Sequence, residues 1–268
     1  MFRRYKYLPS YVIEMKYIGK GSQDVVNKEM HWRNVCCYKK SNNGTEFGKE
    51  VQVTKKIGFV GCYSHDIILM LAKGIRCLGK RVLITDRNIK RTLAASVPIP
   101  EGLSAKEDTI EYDGVFFSEQ RESEKERDSY DVEIIDYGLQ VEREEIGEEI
   151  ELFLITDMLL HHVRYFTEQN LPEHQVRVCI LRDASEQICR KEKYIKDFLQ
   201  AFPNRIEFFL PPDVRDVTNR YVCEAIHEYW IRRASPEMQD MVYKLMSLIC
   251  PDYTEREIRR CVRTQERR

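Results

Sequence analysis

Between Lys56 and Pro212 short continuous apolar runs alternate with longer helical patterns, and this alternation restricts the fold more than any other feature of the chain. Ile57-Gly58-Phe59-Val60 predicts a buried strand, Gly61 to Ser64 a turn, and Ile67 to Leu78 an apolar helix ending near Gly79. Arg81 to Asp86 predicts a second strand that stops at an acid. Thr109 to Phe117 reads as strand or hairpin with Asp113-Gly114 as its turn. Val132 to Asp136, Leu152 to Thr156, Val176 to Leu181 and Ile206 to Leu210 are further strands. Helices are predicted over Leu159 to Gln169, 185–200, Val214 to Arg232, Pro236 to Ile249 and Thr254 to Arg263. Strands that are apolar on both faces, separated by helices of ten or more residues, imply a parallel sheet covered on both sides. Right-handed crossovers make it doubly wound, in three layers.

The 268 residues, 43% apolar and 32% charged, suit one large α/β domain or two small ones. Residues 1–55 break the pattern and are read as an N-terminal appendage: an extra hairpin, or a basic arm that orders on a partner. The α/β domain is expected over 56–250 and a basic helix or tail over 251–268. No apolar run approaches the ~18 residues of a membrane span, and Met1 to Lys6 does not resemble a secretory signal, so a cytoplasmic location is expected. Nine scattered cysteines without Cys-x-x-Cys spacing fit small buried residues in a reducing compartment, and no metal-ligand spacing is visible. Net charge is -1 but uneven: residues 1–56 carry twelve Lys/Arg against five Asp/Glu, and 101–150 carry eighteen acids against five bases. Aromatics interleave with bases in Met1 to Tyr7, but a flexible arm explains them better than nucleic-acid binding.

In doubly wound sheets ligands sit beyond the carboxyl ends of the strands. The loops after Val60, Asp86, Asp136, Thr156 and Leu181 are therefore the candidate site. Asp86 and Asp136, both at strand ends, are the pair of carboxylates that a hydrated magnesium ion would need. Asp66, in the first helical turn, reads as a helix-start acid. Arg182-Asp183 reads as a surface ion pair. Ser64 and His65 lack the Gly-x-Ser-x-Gly setting of a hydrolase nucleophile.

The stretch Ile57 to Asp86, IGFVGCYSHDIILMLAKGIRCLGKRVLITD, resembles the opening of the MinD/ParA group of P-loop ATPases. Leu71-Ala72 and Gly79 to Asp86 match that pattern, Tyr130 to Gly138 looks like its Walker B strand, and Leu152 to Asp157 matches a later strand. The resemblance covers about residues 56–250 and implies a crevice for ATP and magnesium built from Gly61, Ser64, His65, Asp86, Asn88 and Arg182, with Asp136 on the metal. The departures are large. Gly61-Cys62-Tyr63-Ser64-His65-Asp66 has one glycine and no lysine, and Asp66 would repel a phosphate. Asp86-Arg87-Asn88 replaces the Asp-x-Asp common in the group, and Arg182 stands where asparagine often approaches the base.

Two readings follow. In the first, the chain is a non-catalytic scaffold or localisation factor that needs no cofactor and works through protein partners; in style it resembles the TadZ/CpaE-like proteins of pilus and secretion assembly. In the second it binds ATP and magnesium with slow or no turnover and forms a homodimer over nucleotide. The tail Ile258 to Arg263 invites comparison with the membrane-targeting helix of MinD, but has too few large apolar residues to insert strongly, which leaves at most peripheral membrane contact.

Overall fold

The computed structural model describes residues 54–98, 109–119, 129–141, 143–227 and 229–265. The reading of 1–55 as a hairpin or basic arm falls almost wholly outside them, as does most of the acidic stretch after Ser118.

Among the described residues eight strands form one sheet: β1 Lys55–Gly61, β2 Val82–Asp86, β3 Ile110–Tyr112, β4 Val115–Ser118, β5 Val132–Gly138, β6 Ile150–Thr156, β7 Val176–Leu181 and β8 Ile206–Phe209. Their spatial order is β3-β4-β2-β5-β1-β6-β7-β8. Every neighbouring pair is parallel except β3 and β4, which form an antiparallel hairpin. Its turn is the expected Asp113-Gly114, with φ of 50° and 73°, the positive-φ geometry that matches strand twist in a two-residue hairpin.

Alternate residues of the strands feed two separate cores, which makes three layers. Ile57, Phe59, Ile84, Ile134, Phe153 and Ile180 face one core, completed by α1 His65–Cys77, α7 Pro236–Ile249 and α8 Glu255–Gln265. Ile135, Leu152, Leu154, Cys179 and Leu181 face the other, completed by α3 Leu160–Glu168 and α5 Lys193–Gln200. The remaining helices are α2 Thr92–Ala95 after β2, which adds Leu93 to the first core, α4 Glu186–Cys189 after β7, which adds Cys189 to the second, and α6 Val214–Ile226 after β8. Gly58 is required where the second core closes on β1: a Cβ there would lie 2.7 Å from Tyr137 Cε2 and 2.9 Å from Leu152 Cδ2.

Two expected helices are shorter than read. The 185–200 pattern breaks at Glu192, whose ψ of 122° is extended. Cys189 and Ile195 are both buried in the second core, yet six residues on an unbroken helix are about 240° apart, so a break is needed to turn both inward. The pattern over 214–232 ends at His227, which takes a left-handed φ of 58°, and resumes as a 3-10 turn over Ile231–Arg233. The last helix, α8, buries Ile258 and Val262 in the first core, so its large apolar residues face the domain.

Candidate functional site

The switch point lies at β1, which β5 and β6 flank on opposite sides. Only three residues, Cys62 to Ser64, link β1 to α1, and the Cys62 N–H is taken by the Ile155 carbonyl of β6 at 3.2 Å. Gly61 fits this tight turn because a Cβ would meet the Ile155 carbonyl oxygen at 2.0 Å. The adjacency of β1 and β5 sets Asp136 beside the turn. Ser64 Oγ donates to Asp136 Oδ1 at 3.0 Å, leaving no side-chain cap for α1, and the Gly138 N–H donates to the same oxygen at 3.1 Å. Asn88 Nδ2 (3.3 Å) and Thr92 Oγ1 (3.5 Å) donate to Oδ2. Asp136 is fully buried, and burial pushes its carboxyl above the usual range despite the Gly138, Asn88 and Ser64 donors.

Asp86 is the register partner of Asp136 across β2 and β5, so the two strand-end acids do lie side by side. Asp86 nevertheless spends both oxygens on backbone: Oδ1 accepts the Asn88 N–H (3.0 Å) and Oδ2 the Leu93 N–H (3.1 Å). Asn88 accepts the Lys90 N–H. Ser64, Asp86, Asn88 and Asp136 thus form one network that knits the turn after β2 to the turn after β1. His65 is buried in the first turn of α1, within electrostatic reach of Asp66 and Asp136.

Arg182 corrects the surface reading made from sequence. It is only 5% exposed and grips Asp66 with two hydrogen bonds, Nη1 to Oδ1 at 2.7 Å and Nη2 to Oδ2 at 2.8 Å. Nη1 also donates to the Tyr63 carbonyl. Asp66 Oδ1 accepts the Ile67 N–H at 2.9 Å, and a second cation, Arg220, places Nε 3.6 Å from Oδ2. Burial alone would raise the Asp66 carboxyl, but the Arg182 guanidinium outweighs it and holds the group below the ordinary carboxylate range. Burial works to lower Arg182, and Asp66 outweighs it in turn. A helix N-terminus next to a strand-end turn is a ready anion site, and here its anion is the chain's own carboxylate.

Beside the pair opens a cavity of about 280 Å3, lined by Cys62, Tyr63, Thr156, Asp157, Arg182, Asp183, Arg220 and Tyr221. Tyr63 and Asp183 hold left-handed φ values of 55° and 50° on its wall. Asp157 accepts the Leu159 N–H and lies 2.9 Å from His162 Nδ1. Burial, then the Asp157 charge, push the Cys62 thiol up to about 11, so it is no ready nucleophile. Of the residues expected one by one in the nucleotide crevice, Arg182 lines this cavity, together with Cys62, Tyr63, Asp157 and Asp183 from the expected loops after β1, β6 and β7. Thr156-Asp157 was visible as a strand end, whereas nothing in the pattern marked Arg220 or Tyr221.

The group implied by the resemblance, ATP with magnesium, fits these residues poorly. A triphosphate entering at α1 would meet Asp66, and the Asp136 oxygens that would face a magnesium ion are already supplied with four donors. Among the described residues no cluster of three or more His, Cys, Asp or Glu is placed to hold a metal, and no helix is long and apolar enough to cross a membrane.

No family model and no curated protein matches the chain. Among solved structures it is similar to the MinC:MinD cell division protein complex of Aquifex aeolicus, with 12% identity, a TM-score of 0.49, and coverage of 72% of this chain and 96% of that one.

Proposed function

We propose that this chain is a non-catalytic protein of the P-loop ATPase type, a scaffold or localisation factor that acts through protein partners. The observation that carries this reading is the buried Asp66–Arg182 pair, which fills the anion position at the start of α1 from within the chain. A protein that keeps its own carboxylate there gains nothing from a phosphate and repels it. Large apolar side chains are exposed at the cavity (Tyr63 and Tyr221) and on the helix that carries Tyr221 (Val214 and Val217), and they support a role in protein contact. The pilus or secretion setting rests on the TadZ/CpaE-like resemblance alone.

A second reading, ATP-magnesium binding with slow or no turnover and a homodimer over nucleotide, has one observation in its favour. Ser64 Oγ and Asp136 Oδ1 lie 3.0 Å apart, a hydroxyl and carboxylate of the kinds that serve magnesium. The missing lysine and the presence of Asp66 weigh more, because transition-state charge would go unneutralised. Thermal melting with magnesium-ATP separates the two. Saturating binding adds about 2.7 kcal/mol at a hundredfold excess over Kd. An unchanged melting temperature is expected; an upward shift that Asp136→Ala abolishes would retire the scaffold reading.

A further inference from the structure

We propose that the outer face of α6 is a dimer interface, through which two copies of this chain pair antiparallel about a two-fold axis near Thr218 and without nucleotide. This pairing rests on the scaffold reading and deepens it, naming a second copy of the chain as one of its protein partners.

The helix is built inside out. A surface helix ordinarily turns an apolar stripe to the core and its polar side to water. Among the described side chains of α6 the inward ones are polar. Asp216 accepts the Ser235 N–H at 2.6 Å and the Ser235 hydroxyl at 2.7 Å, Asn219 donates to the Trp230 carbonyl, and Arg220 is ion-paired with Asp66. Neither core includes a described residue of this helix. The outward side chains are apolar: Val214 is 77% and Tyr221 67% exposed, and Val217 and Val222 are exposed as well. Val214, Val217 and Tyr221 recur at helical spacing, so they share one side of α6. Tyr63, 61% exposed, meets Tyr221 at the cavity. Arg182 donates to the Tyr63 carbonyl, and the Arg220 guanidinium lies 5.8 Å from the centre of its ring. The buried pair that shuts out phosphate thus also fixes an exposed aromatic, the kind of anchor that carries interface energy.

Area and charge select the occupant. Tyr63, Val214, Val217, Tyr221 and Val222 together leave roughly 450 Å2 of apolar surface in water at ordinary side-chain sizes. A stable interface buries about 800 Å2 on each partner, somewhat over half of it apolar, so these five residues supply the apolar share of one. Among the described exposed side chains of α6 only Arg215 is charged, and Asp213 neutralises it with hydrogen bonds of 2.6 and 2.9 Å. An uncharged face meets its own copy without setting like charges together, which is what a two-fold contact requires. Turned antiparallel about Thr218, Val214 falls level with Val222 of the partner subunit, and Val217 comes within a turn of Tyr221 of the partner subunit. A lipid surface is the poorer match, because helices that lie on membranes carry lysine and arginine beside the apolar stripe.

The test is sedimentation velocity of the full chain, with and without magnesium-ATP, across about 0.5–50 μM, where an interface of this size associates. Without nucleotide, a shift from monomer to dimer with rising concentration is expected. Val217→Glu and Val214→Glu should each weaken the dimer by about tenfold or more, with circular dichroism unchanged. Val214 lies in the first turn of α6, where an acid favours the helix, so that variant stays folded should Val217→Glu fail to. Thr218→Cys, on the axis, should crosslink to its own copy with a short bis-maleimide more than the parent chain does. A chain still monomeric at 50 μM, a dimer that both glutamate variants leave intact, or no added crosslink at position 218 would overturn the proposal and leave the scaffold reading standing. A dimer that forms only with magnesium-ATP would overturn both.

Discussion

Replacing Arg182 by methionine should be among the costliest changes to a polar residue in this domain, and the structure sets its size. The substitution keeps an unbranched apolar stem and removes a guanidinium; the arginine is 5% exposed and makes two hydrogen bonds, at 2.7 and 2.8 Å, to a buried carboxylate. Breaking a buried pair from one side costs about 3–5 kcal/mol, because the surviving charge is left without its partner. Arg220 at 3.6 Å from Asp66 softens the loss, which places the expectation near about 3 kcal/mol. Adding Asp66→Asn should recover about 2 kcal/mol, since the stranded carboxylate is gone. Urea unfolding at neutral pH measures all four corners of the cycle. The pH dependence gives a second check. In the parent chain the Asp66 carboxyl is held below its unfolded value, so its contribution is present above the ordinary carboxylate range and is lost as pH falls through the depressed folded value. Without Arg182 the largest charge opposing burial is gone, and burial, countered by His65 and Arg220 only, raises the carboxyl, so the variant loses stability as pH rises instead. The two stabilities should therefore converge in acid. A cost under about 1 kcal/mol, additive single effects, or a gap that does not narrow at low pH would refute the reasoning.

Other consequences are simpler to measure. Asp136 has a raised folded value, so it favours the folded state most below the ordinary carboxylate value and loses that contribution as pH rises through the raised one. Asp136→Asn should accordingly flatten the decline of stability with pH above about 4, as read by urea midpoints, at the expense of one donor facing Asn88 Nδ2. Gly58→Ala should cost about 1–3 kcal/mol by thermal or urea unfolding, because the new methyl meets Tyr137 and Leu152 in a packed core. Gly61→Ala should be worse and yield little folded protein by circular dichroism, because its obstacle is the Ile155 backbone carbonyl, with no side chain able to move away.

The parallel sheet was readable because each buried strand is a run of Val, Ile, Leu and Phe between turn residues, and Asp113-Gly114 carries the hairpin signal outright. The acids were readable too: Asp86 and Asp136 meet in register across β2 and β5. What could not be read was who pairs with whom at long range. Asp66 carries a correct helix-start signal, yet its partner Arg182 is 116 residues away and looked like half of a surface pair with Asp183. Arg220 sits on a helix whose exposed positions Val214, Val217 and Tyr221 follow a helical stripe, and no local pattern says which cavity it lines. Helix ends at Glu192 and His227 were missed because tertiary burial of Cys189 and Ile195, and a non-glycine left-handed residue, decided them.

The most direct measurement is equilibrium dialysis of labelled magnesium-ATP against the parent chain and against Asp66→Ser. No retention by the parent chain at concentrations up to about 1 mM is expected, a Kd weaker than about -4 kcal/mol of binding. Stoichiometric retention by the parent chain, with Asp66 and Arg182 both in place, would contradict the claim that the chain's own carboxylate holds the anion position.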